Sequence, residues 1–134
     1  MQFRLLAIPC GLMLAATAQA TEIWVVTDHD HPVNAPNGVR LIELDAAQRI
    51  QREVFAHLPA ARAQAAIVAQ QRLQAGGADL QHRLAAAYQS LTEAWRVGVT
   101  KIPAIVVDEH YVVYGETNVA LALSWISDYR RTHP

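Results

Sequence analysis

The run Ile23-Trp24-Val25-Val26 joins β-branched and aromatic residues without a polar break, the pattern of a buried strand. Asp28 to Gly38 holds two prolines, two asparagines and a glycine and reads as a loop, with Asn37-Gly38 as its clearest turn. Val39 to Leu44 reads as a second strand. Asp45, with Gln48 three residues on, approaches a capping box. It opens a helix from Ala46 to about His57, with Ala47, Ile50, Val54 and Leu58 on one face and Pro59 as its stop. A second helix, about 60–75, is rich in alanine and glutamine and ends at Gly76-Gly77; its weak apolar stripe predicts a peripheral position. A third begins near Asp79, where Leu80, Leu84, Tyr88, Leu91 and Trp95 form the strongest helical period in the chain, closed by Gly98. Pro103 to Asp108 is a third strand, apolar enough to be covered on both faces. Asp108-Glu109-His110 turns the chain into a fourth strand, Tyr111 to Tyr114, which Gly115 ends. Thr117 caps a last helix striped by Val119, Ala122, Leu123 and Ile126. The order β-β-α-α-α-β-β-α predicts an α/β sandwich on a four-stranded sheet, with a three-helix segment between strands two and three.

The N-terminus changes the picture. Arg4 precedes an apolar run, Leu5 to Ala16, and Ala18-Gln19-Ala20 has the form of a signal-peptidase site, so residues 1–20 read as a secretory leader cut between Ala20 and Thr21. The run is shorter than the ~20 residues that span a bilayer, which argues against a retained anchor. The expected product is a single periplasmic domain, residues 21–134, with no stable membrane insertion. Arg4 is the only charged residue removed, so the formal net charge moves from −1 to −2. That balance speaks against a general nucleic-acid binder, which needs a basic surface to neutralise phosphates. The one cysteine, Cys10, leaves with the leader, and with it any thiol or disulfide chemistry.

Asp28-His29-Asp30-His31 is the one dense cluster of potential metal ligands. Consecutive residues at a strand end point alternately, and no second cluster completes a closed site, so a solvated polar loop is the favoured account and no cofactor is expected. Ser90, Ser124 and Ser127 lie in predicted helices without an evident base, and there is no G-x-S-x-G elbow. Gly76-Gly77 lacks the lysine and strand of a phosphate loop. Trp24 and Trp95 are expected in the core, whereas Trp125 lies off the last helix's stripe and is a candidate for an exposed contact.

The segment Lys101-Ile102-Pro103-Ala104-Ile105-Val106-Val107, with Tyr114-Gly115 and the helix beyond, resembles the thioredoxin superfamily, especially its disulfide-isomerase-like branches. That resemblance implies a thioredoxin-like sandwich and a cis Ile102-Pro103 bond. It also implies that Thr100, Lys101, Ile102 and Pro103 border a groove that docks an extended peptide; the alternative is that Pro103 only starts a strand. The departure is large. Where a thioredoxin opens a helix with Cys-x-x-C after strand one, this chain has the proline-rich loop. A narrower resemblance spans nearly all of residues 21–134. Its pieces include Glu22 to Asp28 with His31-Pro32-Val33, Arg83 to Tyr88, Gly98 to Ala104, and Val113 to Ala120. In order and spacing these are similar to a small exported family encoded in integrating conjugative elements of proteobacteria.

The resemblance implies a non-enzymatic role in assembly or function of a conjugative, type IV secretion apparatus, with other exported proteins of that apparatus as partners. Two other readings stand beside it: a periplasmic metal-binding protein using the loop 28–31, and a degenerate thiol-disulfide oxidoreductase relative acting as a chaperone.

Overall fold

A computed structural model describes residues 20–133. The segment expected to be a leader, Cys10 included, lies outside them except for Ala20. Four strands, β1 (Ile23–Thr27), β2 (Arg40–Glu43), β3 (Ala104–Val107) and β4 (Tyr111–Tyr114), form one mixed sheet in the order β2-β1-β3-β4. β1 runs parallel to β2 and antiparallel to β3, and β3 pairs antiparallel with β4. The apolar runs explain the order: β1 and β3 are buried almost throughout and take the two central places.

Alternation along the strands divides the core in two. On one face Trp24, Val26, Ile42, Ala104 and Val106 meet Ala94 and Val99. On the other, Val25, Ile105 and Val107 meet Val119, Ala122 and Ile126 of the last helix, α3 (Val119–Thr132). Val33, Ala35 and Val39 of the loop after β1 complete this second cluster, so that loop covers sheet surface beside α3.

Between β2 and β3 lie two helices where three were expected: α1 (Ala46–Phe55) and α2 (Arg62–Arg96). Gly77, at φ 48° and ψ −137°, leaves helical geometry, yet the helix resumes at once. The expected stop is therefore a kink. Gly76 makes it possible, because a Cβ there would stand 2.8 Å from Leu80, which folds back over the bend. The stripe of α2 also differs from the expected one. Leu80, Leu84, Ala87, Leu91 and Ala94 turn inward, while Tyr88 and Trp95 lie outside, Trp95 at 65% exposure. Small alanines face the sheet and admit close approach, which displaces the large aromatics to the flank. Trp24 occupies the core as expected.

Two expected caps move. Asp45 makes no cap bond to α1; one carboxylate oxygen accepts the His29 N–H at 3.2 Å and the other pairs with Arg49. α3 is capped by Asn118, whose side chain accepts the Leu121 N–H at 3.1 Å, one residue after the expected Thr117. Among the described residues no helix is long and apolar enough to cross a membrane.

Candidate functional site

The register Val26↔Ala104 continues outward to Thr27 beside Pro103. The loop after β1 and the Thr100–Pro103 segment thus meet at one end of the sheet. Spacing along the chain could not show this, since it depends on the pairing of strands far apart in sequence.

Thr27 is the only polar residue buried in the core among the described residues, at 2% exposure. It ends β1 on the α3 side and donates its hydroxyl to the His31 carbonyl, which ties the loop across its own start. Asp28 closes the same turn. Its Oδ1 accepts the His31 backbone N–H at 2.9 Å and the His31 Nδ1–H at 2.7 Å. The imidazole hydrogen bond holds the Asp28 carboxyl below its usual range. His29 is anchored through its backbone to Asp45. Of the four candidate ligands, then, Asp28 and His31 are brought together, but as each other's partners. No group of three or more His, Cys, Asp or Glu residues in metal-holding geometry occurs among the described residues.

On the other side of this end, the Ile102-Pro103 bond is cis. Ile102 packs against the α2-side core, and Pro103 is half-buried, its carbonyl accepting the Gly115 N–H at 2.9 Å. Thr100 and Lys101 are exposed. The Tyr114 hydroxyl donates to the Gly98 carbonyl at 3.2 Å and lies 3.4 Å from the Thr100 N–H, fixing the approach to Pro103. This end exposes Thr100 and Lys101, and among the described residues it pairs no nucleophile with a base.

Trp125 is not part of it. Half-exposed, it lines an open groove of about 590 Å³ between β4 and α3, with Tyr111, Val113 and Tyr129. There His110, Tyr111, Tyr129 and His133 form a chain of aromatic contacts, from edge-on at 5.5 and 6.2 Å to stacked at 4.2 Å. The Arg130 guanidinium covers the Tyr111 ring at 4.4 Å and pairs with Asp108 at 2.7 Å. The signal for this cluster was present in the chain: Trp125, Tyr129 and His133 recur every four residues along α3 and its C-terminal cap, flanking the buried stripe.

No curated protein and no solved structure matches this chain. A family model matches residues 20–132, nearly all of the part expected to fold. The chain belongs to the family described as Protein of unknown function (DUF1525).

Proposed function

We propose that this protein is a non-catalytic, thioredoxin-like module, exported to the periplasm, that takes part in assembly or function of a conjugative DNA-transfer apparatus of an integrating conjugative element. One observation carries the non-catalytic reading. At the sheet end where the loop after β1 meets Pro103, the polar groups of Thr27, Asp28 and His31 are spent on one another. A thioredoxin relative would present its thiols there; this chain has no cysteine after Cys10. The thioredoxin-like part is supported by the succession of Pro103, β3, a β4 ended by Gly115, and α3. Conjugation and export rest on the resemblance and on the leader pattern of residues 1–20.

The partner is another exported protein of the apparatus, received at the exposed Thr100-Lys101 approach to Pro103. Deleting the gene from a donor strain tests the role: transfer frequency falls, and the gene supplied in trans restores it. Normal transfer by the deletion strain refutes the proposal. Lys101→Glu tests the surface, since it lowers transfer while leaving the unfolding free energy within about 0.5 kcal/mol of the parent, as exposed substitutions do.

A further inference from the structure

The two edges of the sheet are built differently. β2 carries Arg40 and Glu43 and is held against α2 by the Arg40–Glu93 ion pair. Charge and a covering helix are the usual guards of an edge strand. β4 is Tyr-Val-Val-Tyr, without charge or proline, and among the described residues nothing pairs with its outer side. The Gly115 N–H bonds the Pro103 carbonyl, which sets the alternation along the β3–β4 ladder. Backbone groups of Tyr111 and Val113 therefore face β3, and those of Val112 and Tyr114 face outward.

We propose that β4 is the pairing edge of a symmetric dimer, in which two copies of this chain join antiparallel through Val112 and Tyr114 into one continuous sheet. One register suits this edge. Pairing Val112 with Tyr114 of the second copy satisfies every outward N–H and C=O of both, and sets Val113 opposite its own counterpart. A shift one way pairs Tyr114 with His110, whose N–H is already given to the Val107 carbonyl at 3.1 Å. A shift the other way pairs Val112 with Glu116, beyond the bend at Gly115 (φ 76°). In the favoured register the side chains also complement each other. Tyr114 lies across from Val112, an aromatic–β-branched pair. Tyr111 lies across from Gly115, and at each end of the contact the His110 imidazole comes toward the Glu116 carboxylate, whose Oε1 also accepts the Asn118 N–H, a side-chain contact that asks no ladder bond of the backbone beyond Gly115. Each of these contacts occurs twice. The groove with Trp125 and Tyr129 borders the Val113 pair on the α3 side, so the same contact covers the exposed aromatics. The second copy is favoured over a foreign strand because the edge complements itself in charge and in unpaired backbone groups. This inference does not depend on the proposed role in conjugation.

The test is sedimentation equilibrium of the protein expressed from its full-length gene, with three sets of variants. The parent protein dimerises with rising concentration. Val112→Pro, which removes an outward N–H and no β3 bond, shifts it to monomer. His110→Glu weakens the dimer by roughly three- to tenfold, the scale of a pair of exposed charge contacts, and His110→Glu with Glu116→Arg restores it. In a Cys10→Ser background, Val113→Cys oxidises to a covalent dimer, because opposed residues of a non-hydrogen-bonded pair lie about 4.5 Å apart at Cα, within disulfide reach. A parent that stays monomeric at every concentration overturns the proposal, including one that instead captures the strand of a different protein. So does a dimer that ignores the charge exchange, or one in which Val113→Cys fails to cross-link.

Discussion

Asp108 joins three parts of the molecule through one carboxylate. Its Oδ1 accepts the Glu22 N–H ahead of β1 at 3.0 Å, while its own N–H returns to the Glu22 carbonyl at 2.8 Å. Its Oδ2 pairs with Arg130 of α3. The Arg130 hydrogen bond, then the Glu22 N–H, hold its carboxyl below the ordinary 3.8. A carboxyl lowered by folding adds stability that is complete above its unfolded pKa and disappears as pH falls through the folded value. Thermal melts recorded from neutral to strongly acid pH are therefore expected to show a loss below about pH 4 that Asp108→Asn reduces; at neutral pH the same variant costs about 1 kcal/mol, the worth of one exposed ion pair and a backbone bond. Asp28 titrates in the same direction, and Asp28→Asn is expected to loosen the 28–31 turn, seen as faster exchange of the His31 amide. Neither partnership was legible in the chain. Asp108 was read only as part of a turn and Asp28 as a ligand candidate, because the partners lie in other elements or depend on how one loop closes.

The strands were the most legible elements, since an apolar run of four or five residues has few other uses in a chain of this size. The helices were legible as existing and less so in their facing. The stripe Leu84-Tyr88-Leu91-Trp95 keeps its leucines inward, but Ala87 and Ala94 take the inward places expected for the two aromatics, which stay outside. Gly77 is the residue on which α2 turns. Its dihedral angles belong to a region essentially reserved for glycine, so Gly77→Ala is expected to cost about 1–3 kcal/mol and to redirect the arm before the kink. Thermal denaturation with small-angle scattering reads both effects. Arg72 ties that arm to α1. Its guanidinium donates to the carbonyls of Val54 and Ala56, the C-terminal end of α1, where a cation also complements the helix dipole. Arg72→Ala is expected to lower stability by roughly 1–2 kcal/mol in chemical denaturation, and Arg72→Lys to recover part of that loss.

For the whole molecule, the order of the strands could be read from the chain, with two helices between β2 and β3 where three were expected, but the meeting of its ends could not. That the loop after β1 and Pro103 share one end follows from register, and the pairing of Thr27 with the His31 carbonyl follows from that loop's closure. The central place of β1 has a consequence for how the protein acquires its structure. The β3–β4 hairpin and α3 are neighbours in the chain and can form early. β1, synthesised first, must wait for β3, from which α1 and the long α2 separate it, before the sheet exists. Closing so long a segment slows the search, because chain entropy is lost before any contact offsets it. Refolding is thus expected to be limited by the docking of β1. Val25→Ala should slow refolding less than it speeds unfolding, while Val106→Ala in β3 does the reverse, a contrast that stopped-flow kinetics can resolve.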